Sequence, residues 1–93
     1  MTAGGSTGVG ARALETAEKL LAAVTANGMV ISGDQRVSEA DAARLVGLQA
    51  ASLRNLRAEG AAPPSYRVPV GGQRISYRIF DLAQWIEARR DDF

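Results

Sequence analysis

Between residues 11 and 27 the apolar side chains recur at helical spacing: Leu14, Ala17, Leu21 and Val24 fall on one stripe, which Leu20 widens. This spacing predicts a first helix, with Gly28 just past its end. Met29-Val30-Ile31 is a short apolar run that could add a strand, and Ser32-Gly33-Asp34 reads as the turn after it. Ser38-Glu39-Ala40-Asp41 then marks a helix start, a serine cap with an acid three residues on, and Ala42, Leu45 and Val46 form its inward side. Gly47-Leu48 breaks that helix, and another follows over about 49–59, stopped by Gly60 and Pro63-Pro64. Leu53 and Leu56 define the buried side of this helix. At 100° per residue, Ala51, Arg54, Asn55 and Ala58 fall on the opposite side, where small residues surround one long cation and one amide.

Past the prolines the period changes from 3.6 to 2. Tyr66-Arg67-Val68-Pro69-Val70 and Arg74-Ile75-Ser76-Tyr77-Arg78 flank Gly71-Gly72-Gln73, the pattern of a hairpin. Pro69 cannot donate a ladder bond and places its strand at an edge. A last helix is expected over about 81–90, burying Leu82, Trp85 and Ile86, with Trp85 in the core. The expected architecture is mainly α with a small β-hairpin. Residues 1–10, rich in glycine, form a disordered tail; 11–36 an N-terminal helix and connector; 37–90 the principal domain. The leucine stripe of the first helix either packs on that domain or pairs with a second copy, and intramolecular packing is the preferred expectation.

Composition narrows the chemistry. At 93 residues the chain buries only about 60–65% of its unfolded surface, which disfavours a large active-site cleft. It has no cysteine and no histidine, which removes disulfides, thiol nucleophiles and imidazole bases or ligands. No cofactor or metal is expected. Glu39 and Asp41, the acids closest to a general acid-base pair, lie two apart on a helix and do not face one another, so the chain reads as a non-enzyme. No apolar run approaches the roughly 20 residues that span a bilayer, and a cytoplasmic, nucleoid-associated location is expected. Ten of the eleven basic residues are arginine. From Arg44 to Arg78 six arginines face one acid, Glu59, so this stretch carries +5 against −4 for the rest. A basic middle between acidic flanks suits an anionic partner, since guanidinium forks pair with phosphate and guanine edges; an ordinary solvated face is the plainer alternative.

The order of these elements resembles the excisionase and AlpA-type branch of MerR-like winged helix-turn-helix DNA-binding domains, here with an additional N-terminal helix. The resemblance rests on 38–48, on Ser52-Leu53-Arg54-Asn55-Leu56-Arg57-Ala58-Glu59-Gly60, on Pro63-Pro64, and on Tyr77-Arg78, Asp81-Leu82 and Trp85-Ile86. It spans about Val37 to Ile86. The chain departs from the family at Gln49, where a serine or threonine usually caps the recognition helix, and at Leu56, where an aromatic is common.

The resemblance implies a double-stranded DNA binder whose second helix enters the major groove. Arg54 and Asn55 would read base edges, and Ser52 and Arg57 would meet flanking phosphates. On the wing, Gln73 and Arg74 would enter the minor groove, while Arg67 and Arg78 touch the backbone. For each arginine the alternative is a surface ion pair, with Glu59 the expected partner of Arg57; Arg44 reads as a solvated helix charge. The implied role is a mobile-element excisionase, or recombination directionality factor, acting architecturally beside a separate integrase. The alternatives are a transcriptional regulator of phage or element genes, the DNA-recognising small subunit of a terminase, and a protein-interaction domain. A single module covers about 600–1,000 Å² of interface, so self-association on DNA is expected to supply the missing affinity.

Overall fold

The computed structural model describes residues 9–68 and 74–90. The expected tail, apart from its last two residues, lies outside them, as do Pro69, Val70 and the Gly71-Gly72-Gln73 turn. The described chain is mainly helical, with a small three-stranded antiparallel sheet, in the order α1 (Val9–Ala26), β1 (Arg36–Ser38), α2 (Glu39–Val46), α3 (Ala50–Ala58), β2 (Tyr66–Val68), β3 (Arg74–Arg78) and α4 (Ile79–Ala88). None of its helices is long and apolar enough to cross a membrane.

Local chemistry sets the helix ends. The Ser38 hydroxyl accepts from the Asp41 amide at 3.1 Å, which is the expected cap of α2. Helices α1, α2 and α3 each close through a glycine at positive φ: Gly28, Gly47 and Gly60. In each, the following amide reaches back to the carbonyl five residues earlier, Met29 to Val24, Leu48 to Ala43 and Ala61 to Leu56, which satisfies carbonyls the helix leaves open. Gly47, at φ 84°, turns the chain from α2 into α3 within three residues.

Helix α1 packs along α4, within the molecule. Its buried stripe is Ala13, Ala17, Leu20 and Val24: Ala17, Leu20 and Val24 are as expected, while Ala13 takes the place of Leu14, which is 60% exposed, and Leu21 is only half-buried. Two alanines on the inward side allow α4 a close approach. The Glu87 carboxylate of α4 accepts from Arg12 at 3.3 Å and Thr16 at 2.6 Å, which fixes the rotation of α1.

Residues 29–31 form no strand. Val30 is 84% exposed, while Met29 and Ile31 pack on the core from a loop. The chain turns over Ser32–Gln35, where the Gln35 amide donates to the Ser32 carbonyl at 2.9 Å and Gln35 itself takes φ 65°. The strand forms just after this turn, as β1, and converts the expected hairpin into a sheet of order β1-β3-β2. Val37 lies opposite Tyr77, and both side chains are buried. Around them Leu53, Ile79, Leu82, Ala42, Ala43 and Ala83 complete a core rich in alanine. Helix α4 starts two residues earlier than expected, at Ile79, whose amide donates to the Gln35 carbonyl at 2.8 Å. Trp85 is half-buried, not enclosed: its Nε1 donates to the Ala61 carbonyl at 3.0 Å, and Arg89 covers its ring at 4.5 Å.

Candidate nucleic-acid interface

Leu53 anchors α3, fully buried, and Leu56 is half-buried beside it. That anchoring turns Ala51, Ser52, Arg54, Asn55 and Ala58 to solvent, as the spacing requires. Gln49 is the N-cap but offers no side-chain hydrogen bond, and the first turn of α3 carries no acid. Among the described residues, neither Arg54 nor Asn55 makes a side-chain hydrogen bond or ion pair, so both keep their donors for something outside the chain. The charge of Arg54 is near enough to help hold the Glu39 carboxyl below its ordinary range.

Arg57 behaves differently from its neighbours on α3. Its Nε and Nη2 donate to the two oxygens of Glu39 at 2.9 and 3.2 Å, a bidentate fork across 18 residues. The buried Tyr77 hydroxyl donates to the same carboxylate at 2.8 Å. Glu39 thus joins the start of α2, the end of α3 and the centre of β3. The fork with Arg57 is the main reason its carboxyl sits low, while burial pushes the Tyr77 phenol up to about 12. The ion-pair partner of Arg57 is Glu39, and not Glu59 as proximity in sequence suggested.

The arginines of β2 and β3 divide between two faces. In the antiparallel register Arg67 lies opposite Ile75, on the parity of Tyr77, whereas Arg74 and Arg78 alternate with them and point the other way. Arg67 and Arg74 are exposed. Arg78 is drawn into a cluster on the outer face, 3.4 Å from Asp34 and over the Tyr66 ring at 5.0 Å. Gln73 lies outside the described residues. Of the six arginines in the basic stretch, Arg44, Arg57 and Arg78 pair with Asp41, Glu39 and Asp34, acids that precede it or sit at its edge. Composition alone therefore overstates the free charge of the middle, and the α3 face at Arg54 and the hairpin at Arg74 carry what remains in view.

Sequence reasoning missed Asp34, Arg36, Glu39, Tyr66 and Tyr77 as parts of these clusters. Alternation along β3 was the available signal for the two faces, but the third strand had no pattern to read. Among the described residues no group of three acids stands close enough to hold a metal ion. No family model, curated protein or solved structure matches the chain.

Proposed function

We propose that the protein is a winged helix-turn-helix module that binds double-stranded DNA, with α3 in the major groove and the β2–β3 hairpin against the adjoining backbone. One observation carries this reading: α3 turns an exposed face of alanines and serine outward, with the uncommitted donors of Arg54 and Asn55 at its centre. Small residues let the helix approach base edges, an arginine fork matches guanine O6 and N7, and an asparagine amide matches adenine N6 and N7. The antiparallel strand order β1-β3-β2 beside a helix pair joined at Gly47 supports the same architecture.

In this reading Ser52, Arg54 and Asn55 face the DNA, Arg67 and Arg74 are candidates for the backbone, and Arg57 sets the angle of α3 through Glu39. The resemblance over about Val37 to Ile86 points further, to an excisionase that arranges attachment-site DNA for a separate integrase, with regulation of element genes as the second role open to the same face. Footprinting on the DNA of the protein's own element tests both. Tandem protected sites at an attachment junction are expected for an excisionase, and sites confined to a promoter mark a regulator. No protected site anywhere would remove the DNA-binding reading. Arg54→Ala should cost about 1–3 kcal/mol of binding and relax base preference, measured by anisotropy on matched and mismatched duplexes.

A further inference from the structure

On the outer face of the sheet, Arg36 of β1 stands directly opposite Arg78 of β3. Like charges so placed repel unless an anion lies between them. The anion here is Asp34, from the turn before β1. Its carboxylate accepts from Arg36 Nε at 2.9 Å, from the Ser32 hydroxyl at 2.6 Å and from Arg78 Nη2 at 3.4 Å. Both guanidiniums lie over one ring, Tyr66, at 5.2 and 5.0 Å, and Arg36 Nη1 also donates to the Ser76 hydroxyl at 3.2 Å. One N–H of each guanidinium and the Ser32 hydroxyl thus converge on one oxyanion position, with both guanidiniums over the Tyr66 ring and Ser76 bracing Arg36.

We propose that Arg36 and Arg78 form a phosphate clamp whose resident occupant, Asp34, is an internal stand-in for the phosphate. Four features carry this. The cations are held by Tyr66 and Ser76 as well as by Asp34, so the pair stays oriented when the carboxylate leaves. The site is open to solvent: the side chains of Asp34, Arg36 and Arg78 are 47%, 24% and 41% exposed. A groove of about 490 Å³ borders the clamp at Ser32, Arg36 and Ser76 and reaches Arg74, with Asp41 also on its wall; Arg74 lies four residues from Arg78 along β3, about 13 Å away. The occupant is one short carboxylate, whereas a phosphate oxyanion offers more acceptors to the same donors. The Ser32 hydroxyl first, and Arg36 next, keep the Asp34 carboxyl ionised far below its ordinary range, so it competes with phosphate as an anion at any pH where the protein works.

The clamp is defined by these residues alone and rests on the proposed function only for the carrier of the phosphate, the DNA backbone. Two arms separate the two. In the first, melting temperatures of the wild type, Asp34→Asn and the double variant Asp34→Asn/Arg36→Ala are compared in sodium phosphate and in sodium chloride of equal ionic strength. Phosphate stabilises any folded protein relative to chloride, so the double variant sets the generic rise in melting temperature; Asp34→Asn should rise clearly more than it does, and the wild type by an amount in between. Equal responses from all three overturn the clamp. Should Asp34→Asn fail to fold, Asp34→Ser, which keeps a hydroxyl in the turn, takes its place, and Arg36 and Arg78 Nε–Hε resonances of the wild type are followed during phosphate titration; immobile signals overturn the clamp.

In the second arm the wild type and Asp34→Asn bind a duplex between about 50 and 200 mM salt. Asp34→Asn should bind roughly threefold to fivefold tighter, with a log–log salt slope steeper by about 0.9, one added phosphate contact. A response to free phosphate with an unchanged slope on DNA upholds the clamp and assigns it to a free phosphate ligand. A response to free phosphate from a protein that binds no duplex upholds the clamp and removes the DNA-binding reading.

Discussion

One carboxylate, Glu39, ties three elements together, and its chemistry predicts how the protein meets acid. Glu39→Gln would leave the Arg57 guanidinium half-buried without its counter-charge and weaken the bond to the buried Tyr77 hydroxyl. A loss of about 1–3 kcal/mol is expected, which for a chain of this size lowers the melting temperature by about 4–8 °C per kcal/mol. The sign of the pH dependence follows from the direction of the shift. The fork from Arg57, first, holds the Glu39 carboxyl below the ordinary glutamate value of 4.5, so the native state binds this proton later than the unfolded chain. Its contribution is complete above that value and disappears as pH falls through the native one. Melting curves of wild type and Glu39→Gln should therefore differ at neutral pH and converge in acid. Tyr77 works in the opposite direction: its phenol, raised from 10.0 to about 12, favours the native state while protonated, and that contribution is lost as pH climbs from 10 towards 12. Tyr77→Phe should remove this alkaline loss, at the cost of about 1 kcal/mol for the hydrogen bond to Glu39.

At the scale of elements, the α2–α3 unit is governed by its ends. No atom lies within 4 Å of a Cβ built on Gly47, so Gly47→Ala meets open space and suffers only from its backbone at φ 84°. The expected loss is about 1–2 kcal/mol, read as a lower urea midpoint at unchanged slope. Gln49 has the extended backbone of an N-cap, φ −86° and ψ 155°, without a capping hydrogen bond, so Gln49→Ser should gain about 0.5–1 kcal/mol by the same measurement. These are the features that were legible in the sequence, because a cap, a left-handed glycine and a helical stripe are set by residues within a turn or two of one another. The exposed face of α3 was legible for the same reason. What escaped sequence reasoning depends on distant partners. β1 is three residues long, too short for alternation to show, and becomes a strand only by pairing with β3 some 40 residues on. The Glu39–Arg57 fork closes across 18 residues, whereas proximity pointed to Glu59. The Met29–Ile31 run looked like a strand because it is apolar, but two of its side chains reach the core from a loop.

For the whole molecule the question is what α1 does for the rest. Its stripe has leucines enough for pairing with a second copy, yet the residues it buries are Ala13, Ala17, Leu20 and Val24, and the surface they meet is α4 of the same chain. The two readings of the stripe make opposite demands on two of its leucines, Leu14 and Leu20. If α1 belongs to the core, Leu20→Ala opens a cavity between α1 and α4 and should cost about 2–5 kcal/mol, whereas Leu14→Ser, at a side chain 60% exposed, should stay within about 0.5 kcal/mol. If α1 instead joined two copies through its leucines, Leu14→Ser would lower the sedimenting mass while leaving Leu20→Ala comparatively mild. The packing requires the first pattern: a single unfolding transition shifted far down by Leu20→Ala, a wild-type transition for Leu14→Ser, and the same mass in sedimentation for both as for the parent. Helix α1 then reaches the α3 face only through α4, α2 and the core, so under the proposed DNA-binding function Leu14→Ser should also leave the salt slope of duplex binding where the wild type has it.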